Sequence, residues 1–388
     1  MRLAASFYAT LHERVRTELD RAGLDALLLD DPLDMAYLTG FAHFPNERPV
    51  AAYLARDGAV LLLVPDLERE YAADQRAAAT LVVYPEFPGE RSPWGVLRDA
   101  VPVPPVRAGY APSTAVARVG ALGAAFPGTT WTSTDLVGTL RLRKTPEEVA
   151  LHTEAARIAD AMLAEGVRLV AEAAAGGGEL PTETELAGHV TRYGAAKMYA
   201  EHDDVVVVPM LTGGLVYGGP NSAQPHRLPG ADRLRRGEPF MLSLGCAVGG
   251  RFVESERTFL LGAPTVEQRR YYQVVRDAQQ VGTEALRPGV RCVDANRACL
   301  EVVRRAGLGE YLRHRQGHGI GLGFHEPPWV ADGDDTVLAP GMVLSSEPGV
   351  YVPGHAGYRI SDTVLVTDDG PCRLTSYPRD LDEIVIGA

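Results

Sequence analysis

The sequence predicts an α/β protein built from two domains. Its 388 residues exceed the roughly 250 to 300 residues at which a single hydrophobic core stops growing. Helical and strand patterns alternate through the first part of the chain, and a capped helix then opens a second part in which strands are separated by helices. We therefore expect a first domain over residues 1–143 and a second over residues 144–388.

The first domain is predicted from its alternating patterns. An amphipathic helix runs to about Ala22, and a buried strand follows in DALLLD. Apolar runs at residues 59–64 and 82–83 predict further strands, and the Pro-rich run VPVPPV at residues 101–106 predicts a loop. This order indicates an α/β domain with a mostly buried sheet.

The second domain begins at a strong helix start. Thr145 is a good N-cap, Pro146 suits the first helical position, and Glu147 places an acid in the first turn. The helical pattern continues for about two dozen residues. Helices predicted at residues 267–286 and 294–306 then separate strand patterns in DVVVVPML, FMLSLGC, RTFLLG, MVLSSEPGVYV and ISDTVLVTDDG.

Composition argues against several classes of protein. A formal net charge of -12 disfavours nucleic acid and anionic membranes as partners, because both require a basic surface. The N-terminal helix carries charges throughout, unlike a signal peptide, and no apolar run approaches the roughly 18 residues that cross a bilayer. The four cysteines lack CxxC spacing, so neither a disulfide framework nor a zinc ribbon is indicated. We expect a cytoplasmic protein.

Several short motifs in the second domain carry residues suited to catalysis. Each is weak alone, because an isolated histidine is more often a structural residue than a ligand. Their fixed order and spacing make the signal strong. They are GGPNSAQPHRLP with His226, LSLGCAVGGRFVESERTF, GHGIGLGFHEPP with His318 and His325, GMVLSSEPGVYV with Glu347, and GYRISDTVLV.

Taken together, these motifs resemble the pita-bread family of creatinase, Xaa-Pro dipeptidase, aminopeptidase P and methionine aminopeptidase. The resemblance extends over nearly the whole chain. It implies a creatinase-like N-terminal domain with a mixed sheet, followed by a pita-bread domain whose curved, largely antiparallel sheet is backed by helices. It also implies a homodimer, in which Arg48 of the TGFAHFPNERP run reaches the site of the neighbouring subunit.

The resemblance also implies a set of metal ligands. In the peptidases of this family, five residues hold two divalent metals, and these positions fall on Ser243, Glu254, His318, Glu347 and Ser361. Paired cations need several anionic oxygens, and serine hydroxyls are poor substitutes. A two-metal site is therefore not expected. Glu254, His318 and Glu347 could still surround one ion, manganese or zinc.

Creatinase is the precedent within the family for a site without metals, and its catalytic positions match this chain. The resemblance places the catalytic histidine on His226 and the carboxylates on Glu256 and Glu347, while Ser243 matches the serine of its LSLN strand. We therefore predict a metal-independent site without a cofactor, in which His226 transfers protons and the two glutamates orient the substrate. For Glu256, the alternative is an ion pair with the adjacent Arg257.

Further residues are predicted to contact the substrate. A structural hydrogen-bonding role is the alternative for His318 and His325, and an exposed loop charge is the alternative for Arg48. The predicted substrate contacts are Arg48, Ser243, Glu254, His318, His325, Tyr358 and Ser361. Creatine itself is a doubtful substrate, since HEPPWV lacks the arginine that creatinase has there, and both HEPP and EPGVY resemble the peptidases.

Three functional hypotheses follow. The leading one is a metal-independent hydrolase of a C–N bond in a small carboxylated substrate, such as an ectoine-type ring amide or a guanidino or ureido acid. The alternative is a Xaa-Pro dipeptidase with a single metal at Glu254, His318 and Glu347. The third is a catalytically silent binding protein on the same scaffold, against which the joint presence of His226, Glu256 and Glu347 argues.

Overall fold

The computed structural model describes residues 1–86, 89–208 and 210–387. The chain divides into two compact units. The N-terminal unit comprises Arg2–Arg141, and the C-terminal unit comprises Leu142–Ala388 together with Met1.

The N-terminal unit is built around a six-stranded sheet of strand order β4-β3-β2-β1-β5-β6. Strand β1 pairs antiparallel with β2 and parallel with β5, so the predicted mixed sheet is confirmed. The elements are α1 (Ala5–Ala22), β1 (Ala26–Leu29), α2 (Pro32–Thr39), β2 (Ala51–Ala55), β3 (Val60–Pro65), α3 (Arg69–Asp74), β4 (Thr80–Tyr84), α4 (Pro93–Ala100), β5 (Arg107–Tyr110), α5 (Val116–Ala125), β6 (Thr130–Ser133) and α6 (Leu136–Arg141).

The central strands β1, β2 and β3 are apolar and buried, as expected where both faces of a sheet are covered, whereas the edge strand β6 is mostly exposed. All four residues of β1 are buried, and β3 is buried over its last five residues. Side chains from sheet and helices form a common core that includes Leu28, Tyr53, Leu63, Trp94 and Phe126.

The C-terminal unit holds its strands in three groups. A four-stranded sheet has the order β17-β9-β8-β7, a five-stranded sheet has the order β11-β10-β12-β15-β16, and β13 pairs with β14. The elements are α7 (Pro146–Ala175), α8 (Glu183–Glu201), β7 (Thr212–Gly218), β8 (Pro239–Val248), β9 (Arg251–Leu261), α9 (Val266–Ala285), α10 (Cys292–Arg305), β10 (Gly317–Gly319), β11 (Glu326–Val330), β12 (Val343–Ser346), β13 (Gly349–Val352), β14 (Ala356–Arg359), β15 (Asp362–Thr367), β16 (Gly370–Arg373) and β17 (Val385–Ile386).

Nearly all of these strand pairs are antiparallel, and the pairing of β17 with β9 is parallel. The largely antiparallel pita-bread unit predicted from the motifs is confirmed. The two larger sheets meet where Glu256 and Ser361 exchange backbone hydrogen bonds of 3.0 and 3.1 Å. Ser361 lies between β14 and β15, so this bridge brings the end of β14 and the start of β15 against the middle of β9.

Helix α7 covers one face of β8 and β9. It starts as predicted, because the Thr145 hydroxyl accepts from the Glu148 N–H at 3.4 Å while the Glu148 carboxylate accepts from the Thr145 N–H at 3.0 Å. A Cβ atom at Gly166 would lie 2.8 Å from Leu242 Cδ1, so the helix approaches the sheet closely there. The opposite face of β8 and β9 lines a cavity.

Candidate active site

A cavity of about 700 Å³ opens in the C-terminal unit, where the predicted motifs meet. Apolar side chains, among them Met210, Leu215, Phe252 and Phe324, form part of its wall. The polar groups on the wall are His226, Ser243, Glu254, Glu256, Arg313, His314, Arg315, His325, Glu347 and Arg359. His318 and Ser361 are fully buried against these acids.

The β8–β9 hairpin places two acids on the cavity face. Its turn is Gly249–Gly250, and both residues have positive φ (55° and 78°), as a two-residue type I′ turn requires. The resulting register sets Ser243 opposite Glu256, and Gly245 opposite Glu254. Because alternate residues of a strand share a face, Glu254 and Glu256 point the same way, and a slip of one residue would turn both away.

His318 lies at the centre of the acid cluster. Its Nδ1 is 3.0 Å from the Gly319 carbonyl oxygen, to which the Nδ1–H donates, so the lone pair of the neutral ring is on Nε2. This Nε2 lies 3.2 Å from Glu347 Oε1 and 3.8 Å from Glu254 Oε2. Neither carboxylate is aligned for a hydrogen bond, and Nε2 is buried without a hydrogen-bond partner among the residues that the structure describes.

Burial and the neighbouring charges strongly shift the pKa values of the three groups in this cluster. Burial, and then the neighbouring Glu347 carboxylate, raise the pKa of Glu254 to about 8. Burial disfavours protonated His318, but the charges of Glu254 and Glu347 outweigh burial and raise its pKa to about 9. Burial likewise disfavours ionised Glu347, but contact with His318 lowers that pKa to about 2. The cluster therefore favours an added positive charge.

His325 lies beside His318, with ring centroids 3.9 Å apart. Burial, and then the charge of His318, lower the pKa of His325 to about 4. Donor atoms of Glu254, His318 and His325 all lie within 4.8 Å of one another, which is a spacing able to hold a metal ion. The sequence indicated Glu254, His318 and Glu347 as candidate ligands. The structure adds His325 to them.

Glu256 is held by a buried arginine that the sequence analysis missed. Arg359 Nε donates to Glu256 Oε2, and Arg359 Nη2 donates to Glu256 Oε1 at 3.1 Å and to Ser243 Oγ at 3.0 Å. The Ser243 hydroxyl in turn donates to Glu256 Oε1. Both ion-pair side chains are less than a tenth exposed, at 5% and 8%. This pairing fits Glu256 to an orienting role rather than to proton transfer.

The alternative considered for Glu256, an ion pair with the adjacent Arg257, is wrong, because Arg257 pairs with Asp362 and Glu256 pairs with Arg359. Neighbouring residues on a strand point to opposite faces, so Arg257 lies on the side of β9 away from the cavity. There its Nη2 donates to Asp362 Oδ1 at 2.7 Å. The signal for the true partner was the arginine within the GYRIS run, two residues before Ser361.

Tyr358, which the sequence predicted to contact substrate, points away from the cavity. It is fully buried, its ring lies 5.5 Å from that of Tyr271 on α9, and its hydroxyl is 2.9 Å from His355 Nε2. The same alternation explains this error, because Arg359 is the residue of this strand that reaches the cavity.

The remaining predicted residues occupy distinct settings. Ser361 Oγ donates to Glu254 Oε1 at 2.8 Å, so it fixes an acid rather than standing free for substrate. His226 is exposed at the rim of the cavity, next to Pro225. Arg48 belongs to the N-terminal unit, where it forms ion pairs with Glu47 and Glu86. Its role in a dimer stays a prediction.

A mixed-sheet unit followed by a pita-bread unit, with buried acids and a histidine lone pair at one cavity, defines the class of pita-bread hydrolases of C–N bonds. Residues 150–368 match the profile of metallopeptidase family M24, and residues 12–143 match that of the creatinase/prolidase N-terminal domain. The chain therefore belongs to metallopeptidase family M24. The predicted family and the predicted hydrolysis of C–N bonds are confirmed.

Individual relatives align with this chain over more than nine tenths of their own lengths. The chain is 30% identical over 380 residues to a Xaa-Pro dipeptidase of Lactobacillus helveticus, covering 96% of this chain and 99% of that protein. It is 33% identical over 363 residues to the probable dipeptidase PepE of Mycobacterium bovis, covering 93% and 92%. Among solved structures, dipeptidase PepE of Mycobacterium ulcerans is 27% identical with a TM-score of 0.82, and 100% of each chain is covered.

The predicted metal independence, and with it the absence of a cofactor, is wrong. The family is one of metallopeptidases, and relatives over nearly the whole chain are named as dipeptidases. The grouping of Glu254, His318 and His325 also provides donors for an ion. The sequence prediction judged each of the family's ligand positions separately and therefore missed this grouping. Ser243 and Ser361 stand at two of those positions, and they hydrogen-bond to Glu256 and Glu254, which are acids that remain in the site.

None of the helices within the described part of the chain is long and apolar enough to cross a membrane.

Proposed function

We propose that the protein is a Xaa-Pro dipeptidase that uses a divalent ion, manganese or zinc, held by Glu254, His318 and Glu347. The observation that carries this proposal is the buried Nε2 of His318, which faces two carboxylates beside the cavity. The similarity to a Xaa-Pro dipeptidase over 96% of the chain supports the choice of substrate.

The donor set fits a metal ion in both chemistry and spacing. Two ligand atoms about 2.1 Å from a tetrahedral ion are about 3.4 Å apart. The separations of 3.2 and 3.8 Å from His318 Nε2 to the two carboxylates bracket that value. Imidazole and carboxylate are ligands that both manganese and zinc accept, and His325 offers a further donor within reach.

When bound, such an ion polarises the scissile carbonyl and lowers the pKa of a water molecule. The chain's own residues supply the rest. The imidazole of His226, at the rim, is suited to exchange a proton with the leaving nitrogen. Arg359 keeps the Glu256 carboxylate fixed beside Ser243, so that it orients groups in the cavity. Apolar side chains such as Phe252 and Phe324 provide contact surface for the proline ring.

Cavity size and charge are consistent with a small substrate that bears a carboxylate. A volume of about 700 Å³ lies in the range typical of small-ligand pockets. Arg313 and Arg315 on its wall favour an anionic group such as the free carboxylate of a dipeptide. From the sequence we also propose a cytoplasmic homodimer, in which Arg48 reaches the neighbouring site.

The test combines metal binding with a matched substrate panel. Metal-free protein is titrated with manganese or zinc, and cleavage of Leu-Pro is compared with cleavage of Leu-Ala, Leu-Pro-amide and creatine, with and without a chelator. We expect metal-dependent cleavage of Leu-Pro and its loss in Glu254→Gln and His318→Ala. Glu172→Gln, which changes an exposed acid on α7, is the control. Cleavage that resists chelation, or a preference for Leu-Ala, would contradict the proposal.

A further inference from the structure

Among the residues that the structure describes, no hydrogen bond or ion pair holds the side chain of His226 at the cavity. It is exposed and lies on the irregular segment between β7 and β8. Its position must therefore be set by the backbone that carries it. We call residues 219–229 the histidine segment, and the contacts of this segment identify the groups that fix it.

Both ends of the histidine segment are tied to one buried carboxylate. Glu183, in the first turn of α8, is fully buried. Its Oε1 accepts from the Gly218 N–H at 2.8 Å and from Asn221 Nδ2 at 2.9 Å, at the entry to the segment. Its Oε2 accepts from the Gly230 N–H at 2.8 Å, at the exit. One carboxylate thus holds the two ends together.

The start of α8 adds two backbone bonds to the same place. The Glu183 N–H donates to the Asp232 carbonyl at 3.0 Å, and the Thr184 N–H donates to the Gly230 carbonyl at 3.1 Å. These N–H groups lie at a helix start, where intrahelical partners are lacking. The helix start and the exit of the segment therefore satisfy each other.

A tyrosine holds the segment next to the histidine itself. The Tyr217 hydroxyl donates to the Pro225 carbonyl at 2.7 Å, one residue before His226. The Tyr217 side chain is fully buried at the end of β7, so this anchor does not depend on a mobile group.

Burial of an ionised carboxylate is costly unless hydrogen bonds offset the cost. Glu183 receives three such bonds, and all of them come from the entry or the exit of the histidine segment. We infer that Glu183 and Tyr217 are positioning residues that hold His226 at the cavity. This inference rests on the proposed function, in which His226 exchanges a proton with the substrate.

Two conservative substitutions separate the bonds from the packing. Glu183→Gln keeps the shape of the side chain but presents an NH₂ group at a position where a carboxylate oxygen accepted hydrogen bonds from the segment. Tyr217→Phe keeps the buried ring and removes the bond to Pro225. The control is Glu185→Gln, because this acid in the same helical turn is exposed, bonds to the Thr182 N–H at 2.8 Å and caps α8 instead of binding the segment.

The first readout is the kinetics of Leu-Pro cleavage. A misplaced catalytic group costs on the order of a hundredfold, so we expect Glu183→Gln to lower kcat/KM by about 10- to 100-fold. We expect a loss of about 3- to 10-fold for Tyr217→Phe, the value of one hydrogen bond. Both losses should vanish in a His226→Ala background, while metal uptake stays unchanged. Equal losses in that background would show a general structural role and overturn the inference.

The second readout does not depend on activity. Hydrogen exchange of peptides covering the histidine segment should be faster in Glu183→Gln than in wild type and in Glu185→Gln, with exchange in β9 unchanged. Equal exchange in the three proteins would overturn the positioning role. If wild type cleaves no dipeptide, the proposed function fails, and the exchange comparison still decides whether Glu183 holds the segment.

Discussion

Replacing Arg359 by methionine should strongly destabilise the C-terminal unit. The guanidinium donates to both oxygens of Glu256, to Ser243 Oγ at 3.0 Å and to the Tyr351 hydroxyl at 3.1 Å. Methionine fills much of the same space but leaves the Glu256 carboxylate, which is 8% exposed, without its counter-ion. Removing one partner of a buried ion pair typically costs about 3 to 5 kcal/mol.

A double substitution separates the charge from the packing. Glu256→Gln removes the stranded charge, so the Arg359→Met/Glu256→Gln variant should recover at least about 1.5 kcal/mol relative to the sum of the single changes. Urea unfolding of metal-free protein, followed by hydrogen exchange of peptides from β8 and β9, reports on this unit alone. Arg313→Met is the control, because its exposed guanidinium bonds to the Glu310 and Leu312 carbonyls and its loss should cost less than about 0.5 kcal/mol.

The measurement has a clear failing result. A cost below about 1 kcal/mol for Arg359→Met would show that water or a neighbouring group replaces the guanidinium, since a truly buried charge would cost more. Simple additivity in the double variant would show that Arg359 and Glu256 are not coupled, and the orienting role assigned to Glu256 would lose its basis.

Further predictions concern pH, helix capping and metal affinity. Burial, and then the charges of Lys144 and Arg251, lower the pKa of His152 to about 3, so the unfolded chain holds the extra proton below pH 6.5 and stability falls as pH falls. His152 should contribute about 1.4 kcal/mol to the loss of stability between pH 7.5 and 5.5, so His152→Gln should lose about that much less than wild type over this range. Thr145→Ala should cost about 1 kcal/mol in urea unfolding, because it removes the N-cap of α7. Ser361→Asp adds an acid beside Glu254, so it should lower the melting temperature of metal-free protein and increase the rise produced by manganese.

Each of these has its own contrary result. An unchanged pH profile in His152→Gln would show that another group titrates in that range. Loss of less than about 0.3 kcal/mol in Thr145→Ala would mean that the first turn of α7 is held by other contacts. A smaller manganese effect in Ser361→Asp than in wild type would show that the new carboxylate cannot reach the ion.

Local signals in the sequence were sufficient for much of the fold. The apolar run in DALLLD became β1, and the N-cap at Thr145 became a capping box. Both depend on residues a few positions apart, where steric and hydrogen-bonding preferences act directly. The motif order likewise located Glu254, His318 and Glu347, which the structure brings together.

Contacts between distant parts of the chain could not be predicted from such local patterns. Arg359 and Glu256 are 103 positions apart, and they meet because β14 crosses against β9. No pattern within either strand reveals that crossing. Strand alternation could have excluded Arg257 as the partner of Glu256 and Tyr358 as a cavity residue, because both face away from the acids. Applying that rule to the GYRIS run would have indicated Arg359.

The charges around the cavity limit how many ions it can hold. Glu254, Glu256 and Glu347 contribute three carboxylates, and Arg359 is paired with one of them. His318 must be neutral to bind a metal, so the group then carries two negative charges. One divalent ion cancels this charge, whereas a second would leave a buried excess of positive charge beside Arg359, which is costly. Ser243 and Ser361 hydrogen-bond to Glu256 and Glu254, and their neutral hydroxyls do not offset this excess positive charge. Elemental mass spectrometry should therefore find about one ion per chain at saturation, and two would refute this account of the charges.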